Sequence, residues 1–159
     1  MDKNAVAIAS RLPVFLVGKF YQEHIPNFAK GKLLDLGCGK VPLYQVYKDQ
    51  VDEVTCVDWE NTLHKNEYLD YVADLNEPIP LPDESFDTII LSDVLEHIRE
   101  PEKLWKEMNR VLKSGGVALI NVPFYYWLHE KPFDYFRYTQ FALQNFAEKN
   151  NFEILHLQP

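Results

Sequence analysis

Positive charge is scarce in this sequence. Sixteen Lys and Arg stand against twenty-four Asp and Glu, a formal net charge of −8, and the cations are scattered rather than clustered. No basic stripe exists to neutralise a phosphate backbone, so nucleic acid is not an expected partner. Cysteine is scarcer still. Cys38 and Cys56 are the only two, and they lack the CxxC or Cys/His spacing of zinc sites and disulfide frameworks. They read as reduced, buried thiols of a cytoplasmic protein, and no metal is expected. Long hydrophobic runs are missing too. The most apolar early stretch, "LPVFLVG" at 12–18, is too short to span a bilayer and lacks a signal-peptide cleavage pattern, so membrane insertion and export are not expected. Internal repeats, low-complexity tracts and Gly/Ser linkers are also absent.

What is present suits one core. With 159 residues, 47% of them hydrophobic and 14% aromatic, the chain is long enough for a single domain over 1–159 and short for two. Four apolar runs, "KLLDL" (32–36), "EVTCVD" (53–58), "FDTIILS" (86–92) and "VALINV" (117–122), are continuous rather than alternating, as strands covered on both faces are. Between the last two, Leu104, Met108, Val111 and Leu112 repeat at helical spacing, with Pro101 for a first turn and Gly115 and Gly116 for a stop. Strand, helix, strand units of this kind cross over right-handed and build parallel sheets. A second helix is predicted from Pro42 to Lys48, a third from Thr139 as N-cap to Lys149, and a weak strand near "YVAD". Ala5, Ile8, Ala9 and Leu12, continued by Phe15, Leu16 and Phe20, form a helical leader that packs across the sheet or over the site. The expected fold is an α/β, doubly wound, mostly parallel sheet.

In such sheets ligands bind at the carboxyl ends of the strands. Asp35 with Gly37 and Gly39, then Asp58, then Asp74, then Ser92 with Asp93 all fall at those ends. The two glycines let the backbone come close to a ligand. The third glycine of a dinucleotide fingerprint is replaced by Pro42, and Asp35 would repel a pyrophosphate by several kcal/mol at an effective dielectric of about 20. A nicotinamide-dependent oxidoreductase is therefore disfavoured, and the acid argues for a cationic ligand. Asp58, nineteen residues beyond Gly39, has the spacing at which a carboxylate accepts the hydroxyls of a ribose. Asp74 suits an exocyclic amine such as that of adenine, with the Leu75 backbone nearby, and equally suits a turn. A cation, a ribose and an amino-bearing base together describe S-adenosylmethionine.

The motifs "LLDLGCG", "VTCVD", "ADLNEPIPLPDESFDTIILSDVLEHI" and "LWKEMNRVLKSGGVALINVPF", in this order over residues 32–124, resemble a class I S-adenosylmethionine-dependent methyltransferase with its Rossmann-like fold. By that resemblance Asp35, Gly37, Cys38 and Gly39 line the methionine moiety and Asp58 the ribose. Trp59, Asp74 and Leu75 stand by the adenine, and Ser92, Asp93 and His97 lie near the sulfonium. Val41 stands where many members carry a further glycine. The resemblance divides the chain into a leader (1–30), a cofactor-binding core (31–122) and an acceptor side (123–159). It implies a cytoplasmic enzyme that converts S-adenosyl-L-methionine to S-adenosyl-L-homocysteine.

The acceptor side opens with "VPFYYWLHEKPFDYFRYT" (122–139), which is similar to stretches in members associated with glycan or other surface-polymer biosynthesis. A small-molecule or glycan-like acceptor follows, with Phe124, His129, Tyr135 and Arg137 as its candidate contacts. Arg137 suits an acidic acceptor, or a pair with Asp134 that holds the loop. A hydroxyl acceptor needs a base, for which His129 and His97 are the candidates. His97 follows Asp93 at a spacing that puts both on one helical face. His24, His64 and His156 read as surface or core residues.

The family's sheet ends with a sixth strand and an antiparallel seventh. "FEILHLQP" (152–159) reads as the sixth, leaving the fold C-terminally short with its seventh strand missing. An open edge invites association, which keeps a homodimer in view, as well as a noncatalytic S-adenosylmethionine-binding or scaffold protein.

Overall fold

The structure, a computed structural model, describes residues 11–60 and 67–158. Five strands, β1 (Lys32–Leu36), β2 (Glu53–Asp58), β3 (Tyr71–Val72), β4 (Phe86–Ser92) and β5 (Leu112–Asn121), form one sheet in the order β3-β2-β1-β4-β5. Every pairing is parallel. The order reverses between β1 and β4, the switch point at which doubly wound sheets place their ligands.

Alternation along β1 shows how the sheet is covered. Leu34 and Leu36 point into a core with Ile89, Leu91, Leu104, Met108 and Val111, beneath α3 (Pro101–Val111) and α4 (Gln140–Lys149). Leu33 enters the opposite core with Tyr21, Ile25, Tyr47 and Ile90, beneath α1 (Arg11–Phe28) and α2 (Tyr44–Tyr47). Both faces are covered, which is why the strand runs are continuously apolar. Met108, fully buried between α3 and the sheet, tests this packing. Met108→Ala is expected to remove about 2–5 kcal/mol of stability, read as a lower melting temperature with unchanged far-UV dichroism.

The helix ends follow their local chemistry. Pro101 occupies the first turn of α3, where its missing N–H is no loss. The Thr139 side chain caps α4 by accepting from Ala142 N–H. The predicted stop of α3 needs correction: the helix ends at Val111, and Leu112 is already extended (φ −80°, ψ 134°). Gly115 and Gly116 lie instead in a bulge of β5, because Phe86↔Leu112 and Thr88↔Val117 are both in register. Four residues of β5, 113–116, therefore stand against the single Asp87 of β4.

The predicted leader helix is α1, although Leu12, Phe15 and Leu16 stay exposed. The buried face belongs instead to Tyr21 and Ile25. Ala5, Ile8, Ala9 and His64 lie outside the described residues. The predicted sixth strand is also corrected: residues 152–158 form no strand, and β5 is the sheet edge among the described residues. The segment is held by its ends rather than by a ladder. Phe152 N–H donates to the Ala147 carbonyl (2.9 Å), and its ring meets Trp105 edge-on with centroids 5.3 Å apart. His156 lies against His24 of α1, ring centroids 4.7 Å apart.

Candidate active site

The parallel register brings the carboxyl ends of all five strands to one rim. Leu36 lies beside Val57 and Leu91, Asp58 beside Val72, and Ser92 beside Asn121. The loop after β1 is stitched to β2 there. Gly37 and Cys38 N–H groups both reach the Val57 carbonyl (2.8 and 3.2 Å). Gly37 has φ +70°, and a Cβ on it would come within 2.4 Å of Val94 Cγ2, so no side chain fits. Val41, standing at the position of the further glycine, has φ +52°. A β-branched residue is strained there, and burial of its side chain in the α1/α2 core offsets part of that strain.

Asp58 ties the rim together. Its two oxygens accept from Gly39 N–H (3.0 Å) and Trp59 N–H (2.8 Å), and its carbonyl accepts from Ala73 N–H (2.9 Å). Each carboxylate oxygen keeps capacity for a further donor. Asp35 is 3% exposed and accepts a hydrogen bond from Tyr47 Oη (2.8 Å), with no cation paired to it among the described residues. Burial above all, opposed by the Tyr47 bond and aided by the Asp58 charge, pushes its carboxyl up to about 7. A buried carboxylate without a cation is a site prepared for one.

Asp74 stands next along the rim. One of its oxygens accepts from both the backbone N–H and the side-chain amide of Asn76 (2.9 and 2.8 Å), so it does form the turn the sequence allowed, with its other oxygen left over. The Leu75 and Cys38 side chains are buried in the two cores, which leaves their backbones as what they present to the rim.

Opposite, Asn121 at the end of β5 is a hub that sequence reasoning missed. Its Oδ1 accepts from Tyr21 Oη (2.8 Å) and Ser92 Oγ (2.7 Å), and its Nδ2 donates to Asp93 (2.8 Å). Burial keeps the Tyr21 phenol protonated, far above its ordinary range. Its position level with Ser92, at the tip of a strand, was the available signal. Asp93 turns the chain with φ +52°, and only a short 3-10 turn, Leu95–His97, follows. Asp93 and His97 therefore share a loop rather than a helix face.

The acceptor-side loop folds back over this end. Phe133 meets Trp59 edge to face, ring centroids 5.1 Å apart, and the N–H groups of Tyr135 and Phe136 donate to the Glu96 carbonyl (2.9 and 3.2 Å). Arg137 grips both oxygens of Asp134 (2.5 and 2.9 Å) and the carbonyls of Tyr126, Trp127 and Phe136. Those bonds hold the Asp134 carboxyl well below its usual range. Of the two roles the sequence allowed Arg137, the pair with Asp134 that holds the loop is the one its donors form. His97 and His129 meet, Nε2 to Nε2, at 3.2 Å, above the fully buried Glu96, whose carboxyl burial pushes up to about 8. Phe124 and Tyr135 are exposed on the same loop. An open groove of about 1590 Å³, lined by Ser92, Asp93, His97, Phe124 and His129, continues along the free edge of β5.

A switch-point rim carrying a glycine turn, an uncompensated buried acid and a strand-tip acid defines a nucleoside-binding α/β domain for a cationic ligand. The chain belongs to the methyltransferase-domain family, whose model matches residues 34–120, and its cofactor is S-adenosylmethionine. It is 35% identical over 115 residues to the thiol S-methyltransferase TMT1B of Homo sapiens, covering 64% of this chain and 44% of that protein. It is 32% identical over 120 residues to a tRNA N(3)-cytidine methyltransferase of Gallus gallus, covering 63% and 32%. The chain thus spans less than half the length of these curated relatives. The crystal structure of an S-adenosylmethionine-dependent methyltransferase from Archaeoglobus fulgidus shares the fold with a TM-score of 0.70 at 22% identity, over 87% of this chain and 69% of that one.

The residues fit this cofactor. Asp35 supplies a buried acid with no cationic partner among the described residues, Gly37 a turn too tight for a side chain, and Asp58 the free acceptor capacity at the spacing of a ribose diol.

Proposed function

We propose that the chain moves the methyl group of S-adenosylmethionine to a small-molecule or glycan-like acceptor admitted under the aromatic loop. The observation that carries this reading is that the loop closes over the cofactor rim itself, through Phe133 on Trp59 and the backbone bonds to Glu96. When bound, the cofactor supplies an activated methyl on a sulfonium that leaves as a neutral thioether. The chain's own residues then have mostly to place things. Holding nucleophile and methyl in line can supply about 7–11 kcal/mol of the barrier.

In this reading Asp58 and the Gly37–Gly39 turn fix the nucleoside end, and Asp35 holds the cationic end in place. The Ser92–Asn121–Asp93 hub forms the floor beside the groove. Phe124, Tyr135 and the neighbouring rings offer faces for an apolar or sugar-like acceptor. A hydroxyl acceptor loses its proton at the His97–His129 pair, while an acceptor that arrives as an anion needs no base. The relatives act on thiols and on tRNA by their names. A net charge of −8 without a basic stripe favours the small acceptor over RNA.

Isothermal titration with S-adenosylmethionine and S-adenosylhomocysteine tests the cofactor site, with a micromolar dissociation constant expected. Labelled-methyl transfer to fractionated small molecules and glycans tests the activity. Absence of binding of either compound at millimolar concentration would remove this reading. Binding without transfer to any fraction favours a noncatalytic binding or scaffold role, to which the free β5 edge lends its surface.

A further inference from the structure

Beneath the acceptor loop, three side chains converge that the methyl-transfer reading does not fully use. Glu96 is wholly buried, and neither carboxylate oxygen has a hydrogen-bond partner. Its Oε1 lies 3.7 Å from Nε2 of both His97 and His129, and those two nitrogens are 3.2 Å apart.

The far side of each imidazole decides what those nitrogens carry. His97 Nδ1 lies 2.8 Å from the Phe133 carbonyl oxygen. His129 Nδ1 faces the Trp127 carbonyl (3.2 Å) and an Asp134 oxygen (3.3 Å). Carbonyls and carboxylates only accept, so Nδ1 of each neutral ring carries the hydrogen. Both Nε2 atoms then aim lone pairs at one another across 3.2 Å, with an unpartnered carboxylate beside them. Three acceptor atoms so placed, reached by no donor from another described residue, call for a proton or a metal ion among them.

We propose that Glu96, His97 and His129 bind a divalent transition metal of the zinc type. Two ligands about 2.0–2.1 Å from a tetrahedral zinc stand about 3.3 Å apart, close to the separation of the two nitrogens. All three ligand atoms fall within 4.8 Å of one another. Two histidines and one carboxylate form a three-ligand set that leaves a fourth position open. Glu130, whose Oε2 is 4.0 Å from His97 Nε2, and a ligand in the groove that all four residues line are the groups within reach of it. The carbonyls and Asp134 serve as the outer partners that fix ring orientation. The trio escaped the sequence spacing rules because its members come from a 3-10 turn and from a loop thirty-two residues further on.

Metal binding stands independently of the methyl-transfer reading. Any part the metal plays, as a Lewis acid that lowers the pKa of an acceptor hydroxyl or thiol in the open position, rests on it. With metal bound, both Nε2 lone pairs are engaged, and the metal replaces the histidines as the group that eases proton loss.

The test uses the full chain stripped of metal by chelator dialysis. Zinc titrated against a chromophoric competitor is expected to bind one equivalent with a submicromolar dissociation constant. Cobalt(II) is expected to give the intense visible band of a four-coordinate site. His129→Ala, on the exposed loop, and Glu96→Gln are each expected to weaken zinc by about 100-fold or more. Lack of saturable binding below about 100 μM, a weak six-coordinate cobalt spectrum, or unchanged affinity in His129→Ala would overturn the proposal. A single proton shared by the two rings, seen by NMR in a protein that takes no metal, would overturn it as well. S-adenosylhomocysteine titration of the same stripped protein keeps failure here separate from failure of the cofactor reading.

Discussion

Asp58→Ala is expected to weaken S-adenosylhomocysteine binding by about 100-fold or more, equivalent to roughly 3 kcal/mol. The carboxylate has two tasks. It accepts from Gly39 and Trp59 N–H groups, which fixes the loop after β1 against the end of β2, and it offers its remaining lone pairs to a ribose diol. Truncation strands both N–H donors, at about 1–3 kcal/mol for each that stays out of water, and removes the sugar's acceptor. Asp58→Asn keeps one acceptor oxygen for two donors and should fall between. Titration calorimetry reads the affinity, and a thermal melt reads the loop's share as a lower melting temperature. An Asp58→Ala protein that binds within threefold of the parent would show that the ribose lies elsewhere.

Asp35 carries the second large effect, and its signature is pH dependence. Burial raises its carboxyl from 3.8 to about 7 in the free chain. The folded state therefore holds a proton that the unfolded state has already lost between about pH 4 and pH 7. The stabilisation is complete below pH 4, declines through that window and is gone above about pH 7. Three units correspond to about 4 kcal/mol at most, and a loss of a few kcal/mol is expected across the window. Asp35→Asn, which can still accept from Tyr47, should be more stable than the parent at pH 8 and equal to it near pH 4.

Ligand binding should move in the opposite sense. A sulfonium or ammonium beside Asp35 stabilises the carboxylate, so binding releases a proton near pH 6 and tightens as pH rises to 7.5. Asp35→Asn should lose that slope and bind about 10–100-fold more weakly at pH 8. Calorimetry in buffers of different ionisation enthalpy measures the released proton directly. A parent affinity that is flat from pH 6 to 7.5 would separate Asp35 from the cationic end of the ligand.

Much of the sheet was legible in local pattern. β1, β2 and β4 begin and end where the apolar runs do, because a strand buried on both faces writes its limits in hydrophobicity. Thr139 and Pro101 marked helix starts because capping acts over a single turn. The Gly115–Gly116 pair misled for the same local reason. A glycine pair is compatible with a helix stop and with a bulge, and the register with β4 selected the bulge. "FEILHLQP" carries the composition of a strand, yet the contacts of Phe152 and His156 hold it away from a ladder.

The sequence by itself determined the class: strand-tip acids at Asp35 and Asp58, the glycine turn between them and the order of four motifs are short-range facts, and short-range facts fix a nucleoside-binding α/β domain. Only the tertiary structure decided what each polar group is free to do. Arg137 turned inward onto Asp134, Asn121 gathered Tyr21, Ser92 and Asp93, and Glu96 was buried under two facing histidines. Burial and partnership depend on residues distant in the chain, and they set whether a charge is satisfied or still waiting for a ligand.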